Sequence, residues 1–242
     1  MKRTIPFLLA IALLLTLGAC GKEGGGQTTT ASTTTPEITQ GPAYEYAIRT
    51  TLEEEKLFDM GVIQFQFSRP FFEETSPLAA TANAVYAQME AAFREKAQGI
   101  IDETIEIQYS PWNYTELSEA SYEANGVVSF TTTGDWYMGG VHNSWITGHT
   151  FDFDRDRELK LGDVLNGDNA QITEALVSLF FEQTGSEETD DSDVRAQSGP
   201  DANFYLAEDG VHVFYMPYVI PATQDGVDIL IPWASELVRP LQ

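Results

Sequence analysis

The chain is poor in cysteine, histidine and positive charge. One Cys and three His stand among 242 residues, and 13 Lys+Arg face 37 Asp+Glu, for a formal charge of −24. A single cysteine closes no internal disulfide and falls far short of a four-ligand zinc framework, so a metal site would have to come from His and carboxylates. The shortage of cations argues against nucleic acid as a partner, because such binding is driven by Lys and Arg neutralising phosphate. No apolar run is long enough for a comfortable membrane span, the one candidate being Ile5 to Leu17. An apolar fraction of 43% still supplies a sizeable core, and the length suggests one domain.

The position of the cysteine carries information. Met1-Lys2-Arg3 is a basic n-region, Ile5 to Leu17 an apolar h-region, and Leu17-Gly18-Ala19-Cys20 a small-residue cleavage site ending in cysteine. This reads as a secretory signal and resembles the bacterial lipobox, which implies cleavage after residue 19 and diacylation of Cys20. An ordinary signal peptide or an uncleaved anchor is the alternative. Two acyl chains anchor firmly, since each buried CH₂ contributes about 0.8 kcal/mol. The expected location is the extracytoplasmic face of a bacterial membrane. Loss of Lys2 and Arg3 with the leader takes the charge from −24 to −26.

Residues 20–42 follow the lipid as a Gly/Thr-rich tether with Ile38 its one bulky apolar side chain. Such a segment buries too little to offset its ordering entropy and reaches on the order of 25 Å as a coil. The folded domain is expected over 43–242, as a single α+β unit.

Within it, Leu78, Ala82, Val85, Met89 and Phe93 make one face of a helix over Leu78 to Gln98, with Ser76-Pro77 as its start and Gly99 near its end. Ile172, Leu176, Leu179 and Phe180 do the same over Ala170 to Gln183, capped by Asp168 or Asn169. Val62 to Phe67 and Ile105 to Tyr109 alternate as strands, and another strand is expected from Trp145 to Phe153. Asn125-Gly126 and Asp209-Gly210 mark hairpins, and Asp225-Gly226 leads into the strand Val227 to Ile231. Pro232 opens a short C-terminal helix through Leu237. A largely antiparallel sheet packed against two main helices is the expected architecture.

The order of motifs from Asp135 to Leu237 carries a family resemblance. Gly139-Gly140-Val141-His142, Phe151-Asp152-Phe153, Leu159 to Leu165, Asn203 to Leu206 with Asp209-Gly210, Met216 to Ile220 and Ile231-Pro232-Trp233 follow one another along the chain. This resembles the extracytoplasmic domain of unknown function shared by RsiV-type anti-sigma factors and PdaC-type peptidoglycan deacetylases. In the RsiV type the domain binds lysozyme. The resemblance thus implies a sensor-like binding module with a basic protein such as lysozyme, or peptidoglycan, as partner. Only a few residues precede the lipobox, so no cytoplasmic sigma-binding segment is expected, and no deacetylase domain is expected either.

Chemistry-bearing residues are few. His142 as a general base would need an orienting carboxylate such as Asp135, and as a metal ligand would need His149 and an acid; the seven-residue spacing fits no common metal motif. His212 alternates with Val211 and Val213 as a sheet-face residue. No G-x-S-x-G, H-E-x-x-H or phosphate loop occurs, so the chain is expected not to be an enzyme and to use no cofactor or metal. A hydrolase or deacetylase-like activity centred on His142 is the least favoured reading. Asp152 to Glu158 imitates a calcium loop but lacks its Gly and its closing Glu, and reads as a strand running into a turn. Acidic 185–200 reads as an exposed loop. Aromatic side chains near predicted loops and strand ends, including Trp112 and Tyr114, supply the candidate surface. The ligand-binding candidates are Trp136, Tyr137, Gly139, Gly140, His142 and Trp145.

Overall fold

A computed structural model describes residues 44–59, 61–107, 113–138, 141–186, 189–220 and 226–241. The expectations for the leader, Cys20 and the tether lie outside the described residues, as do Trp112, Gly139 and Gly140.

The class is α+β, and its mostly antiparallel sheet is divided in two. The larger sheet has six strands in sequential order: β1 (Tyr46–Phe58), β2 (Gly61–Phe72), β3 (Asn113–Ala124), β4 (Val127–Met138), β5 (Val141–Asp152) and β6 (Arg157–Leu159). The smaller sheet is β7 (Phe204–Leu206), β8 (Gly210–Tyr215) and β9 (Val227–Pro232), all antiparallel. Among the described strands only β2 and β3 run parallel, because α1 (Pro77–Ile107) joins them as a crossover. The remaining helices are α2 (Leu161–Val164), α3 (Asn169–Thr184) and α4 (Asp191–Gln197).

Local chemistry explains the element ends. Ser76 Oγ accepts from the Ala79 amide at 3.1 Å, and Asp156 Oδ1 from the β5–β6 turn accepts from that of Leu78 at 3.0 Å, so two oxygens cap the donors that open α1. Asp168 caps α3 in a reciprocal box with Gln171. Asn125 and Gly126 both have positive φ, 52° and 73°, as the tight β3–β4 turn requires. The β7–β8 hairpin also forms, but through residues 207–209, with Gly210 already in β8.

Alternation in β2 buries Ile63, Phe65 and Phe67 against Phe93, Ala97 and Ile100 of α1. Farther along the same helix Leu78, Ala79, Ala82 and Tyr86 pack on Phe72, Val128, Phe130 and Phe151. A third cluster joins Ile172, Leu176, Val177 and Phe180 of α3 to Val211, Val213, Ile229 and Ile231 of the small sheet. Each fully buried Phe or Ile contributes about 1.5–3 kcal/mol, so these faces decide where the layers sit.

Four expectations are corrected. Ile105 to Ile107 is the end of α1 and not a strand, Gln108 and Tyr109 lying outside the described residues; Gly99 sits within the helix because Phe93, Ala97, Ile100 and Thr104 continue the buried face past it. Tyr86, fully buried, replaces half-buried Val85 in the stripe. The acidic segment 185–200 holds a two-turn helix, α4, pinned by Val194 at 0% exposure and opened by Asp190 accepting from the Ser192 amide. After Pro232 the chain makes turns, not a helix: the Trp233 indole donates to the carbonyls of Ala207 and Glu208, and a bridge from Val238 to Leu165 pulls the segment across the core.

Candidate functional site: the open half of the large sheet

Residues paired across a sheet share a face, so the register sorts every candidate. On one face lie Tyr114 opposite Trp136, Glu116 opposite Gly134, and Gly134 opposite Trp145. This is the α1 side, where Tyr114, Trp136 and Trp145 pack on the cluster of Phe65, Phe67 and Phe93. The other face carries Asn113 opposite Tyr137, Thr115 opposite Asp135, Tyr137 opposite His142, and Asp135 opposite Ser144.

The sequence-derived candidates are therefore divided. Trp136 and Trp145 are half-buried against the helix, whereas Tyr137 and His142 belong to the opposite face. Tyr137 is half-buried, 6.3 Å ring to ring from His142. His142 does find the carboxylate it needs: its Nε2 lies 2.5 Å from Asp135 Oδ2. Asn113 Nδ2 donates to the other carboxylate oxygen. Asp135 is thus held from both sides, with His142 the more exposed partner at 57% against 31%.

The smaller sheet covers only one end of this second face. The Leu206 amide donates to Ser129 Oγ at 3.0 Å, and the Asn203 carboxamide bridges Ile146 O and the Gly148 amide at 2.6 and 2.9 Å. Beyond that line the described residues of the face are exposed or half-buried, with no described element packed over them. Following the register, the face presents Glu53 and Glu55 of β1, Gln64 and Gln66 of β2, Asn113, Thr115 and Leu117 of β3, Thr133 and Asp135 of β4, and His142 and Ser144 of β5. Leu57 and Val62 at its edge are 79% and 42% exposed, and Leu117 is 39% exposed. Glu119, two residues on from Leu117, is an exposed fourth carboxylate.

Sequence reasoning missed Asn113, Glu53, Glu55, Glu119 and Gln64 as members of one surface. The signal was the polar half of the alternation: reading Val62 to Phe67 for its buried Phe residues also sets aside Gln64 and Gln66 for the opposite face.

The remaining polar clusters lie elsewhere. His149 Nδ1 contacts Glu158 Oε1 at 2.8 Å beside a cleft of about 440 Å³, lined also by Lys160, Asp201 and Asn203. His212 is clamped on the small sheet, with Nδ1 3.1 Å from both Asp228 oxygens, Nε2 2.9 Å from Asp209 Oδ1, and the ring stacked on Tyr205. Hydrogen bonding to Asp228, reinforced by Asp209, raises the His212 pKa against the opposing effect of burial. On the α1 side, burial pushes the Glu116 carboxyl up, while the Tyr114 hydroxyl, donating at 3.2 Å, holds it back. Among the described residues no three His, Cys, Asp or Glu side chains are grouped to hold a metal ion.

Taken together, an open polar sheet face with one pre-oriented carboxylate is suited to recognising a surface rather than enclosing a small molecule. No family model and no curated protein matches the chain. Solved structures do share the two-sheet architecture. A member of the DUF3298 family from Bacteroides fragilis has a TM-score of 0.56 at 18% identity, over 82% of this chain and 94% of that one. A DUF3298 family protein from Pseudomonas aeruginosa has a TM-score of 0.53 at 13% identity, over 82% and 96%. The chain has the fold of these domains of unknown function.

Proposed function

We propose that the chain is an envelope lipoprotein, anchored through Cys20 on the extracytoplasmic face of a bacterial membrane, whose folded domain is a non-enzymatic binding module for a strongly basic protein. Lysozyme is the partner that the RsiV-type resemblance implies. The observation that carries this reading is the distribution of charge. Lys56, Arg69, Arg94, Arg155, Arg157, Lys160 and Arg195 each pair with a carboxylate of the same chain. Arg239 donates to the carbonyls of Asp163 and Leu165, and Arg49 lies 3.7 Å from the centre of the Phe71 ring. Among the described residues every Lys and Arg except the exposed Lys96 on α1 is thus engaged internally, and the surplus carboxylates face solvent. Complementary charge of this kind accelerates encounter and suppresses wrong partners.

A glycan-binding module is the second reading, and it is the weaker one. Sugar rings stack on exposed aromatic faces, and of the described tryptophans the two on β4 and β5, Trp136 and Trp145, are turned to the helix side.

Calorimetry of the full chain carrying Cys20→Ser with lysozyme tests the proposal. Binding should weaken by about tenfold or more between roughly 50 and 300 mM salt, as screening of many charges requires. No heat at low salt rejects it.

A further inference from the structure

We infer that the basic partner docks on the open half of the large sheet, with Asp135 as the anchor for one of its arginine or lysine side chains; this rests on the binding-module reading above and names its surface. Among the described residues the face carries Glu53, Glu55, Glu119 and Asp135 and, by register, no Lys or Arg: Lys56 falls opposite Ile63, on the α1 side, where it pairs with Glu54. Most of these carboxylates are exposed and free to reorient, whereas Asp135 is held by Asn113 and His142 from neighbouring strands. Pre-orientation of this kind lowers the ordering cost of binding. A carboxylate has about four lone-pair positions, so two hydrogen bonds leave room for a guanidinium or ammonium donor.

The apolar members of the face fit the same occupant. Leu57, Val62 and Leu117 are exposed among polar neighbours, and the aliphatic stems of Lys and Arg cover apolar surface while their heads reach carboxylates. A second copy of the chain is disfavoured, because it would bring two rows of carboxylates together. The tether is disfavoured as well, since Lys22 is its one cation against Glu23 and Glu37.

The test is calorimetry of the full Cys20→Ser chain with lysozyme at low salt, comparing Asp135→Asn and Ser144→Lys with Glu182→Gln on the exposed side of α3. Asp135→Asn and Ser144→Lys should each weaken binding about tenfold or more, and Glu182→Gln less than about twofold. Thermal melts report whether each variant is folded. Because Asp135 also ties strands together, Ser144→Lys and the double variant Glu53→Gln/Glu55→Gln decide the matter if Asp135→Asn melts early. Absence of lysozyme binding by the parent chain would reject the function itself. Binding that is unchanged in Ser144→Lys and in the double variant would reject this surface. Soluble muropeptides that bind the parent and lose affinity in Ser144→Lys would overturn the cationic occupant in favour of a glycan.

Discussion

The indole of Trp145 occupies the space that a side chain on Gly134 would fill. The two residues are cross-strand partners in β4 and β5, and a Cβ on Gly134 would overlap the indole ring. Glycine here is a packing requirement, and it lets Trp145 reach the helix-side core rather than the open face.

Gly134→Ala should therefore displace the indole and destabilise the domain by about 1–3 kcal/mol, the usual cost of overpacking. Urea denaturation measures the loss, and a red shift of tryptophan emission in the folded variant reports the indole moving towards water. Unchanged stability and emission would show that the ring has no preferred seat.

The clamp on His212 makes stability depend on pH. Both ring nitrogens face carboxylates, an arrangement in which only the imidazolium donates twice. Its folded pKa is raised from the ordinary 6.5, first by Asp228, so its contribution is complete below that value and is lost as pH rises through the raised one. Asp209 acts in the opposite direction: its pKa is lowered by His212, so its contribution is present above the ordinary carboxylate value and lost on acidification. His212→Gln should cost about 1–2 kcal/mol near pH 6 and markedly less at pH 9. Melting curves at the two pH values check this, and an equal loss at both would refute the clamp.

Asn203 joins the two sheets. Its amide nitrogen donates to Ile146 O at 2.6 Å and Phe214 O at 3.3 Å, while its oxygen accepts from the Gly148 amide at 2.9 Å. Asn203→Ala leaves those partly buried backbone groups unpaired, for a loss of about 2–3 kcal/mol. Amide exchange should speed up at Gly148 in β5 while β1 is unaffected; uniform acceleration would mean global destabilisation instead.

Cys20→Ser should release the chain from the membrane fraction and abolish incorporation of labelled fatty acid, because one short apolar leader without acyl chains anchors poorly. Continued membrane association with no label incorporated into either form would argue for an uncleaved anchor.

Sequence alone determined the class, most element positions and the charge. The period of α3, the alternation of β2 and the Asn-Gly turn are local signals, and local signals survive because side-chain direction follows directly from the backbone period. It read less well where packing overrode local preference. Gly99 and the Ile105 alternation suggested that α1 ends early, yet Ala97, Ile100 and Thr104 carry its buried face onward. Acidic 185–200 read as a loop because one valine is an inconspicuous anchor, and Val194 earns its role only when α3 and the small sheet are beside it. The candidate surface divides in the same way. Asp135 and His142 were a foreseeable pair, but which aromatics would accompany them was not. Trp136 and Tyr137 are neighbours in sequence and opposites in the sheet, and which of the two meets α1 is decided by the strand register and by the helix crossing over β2 and β3.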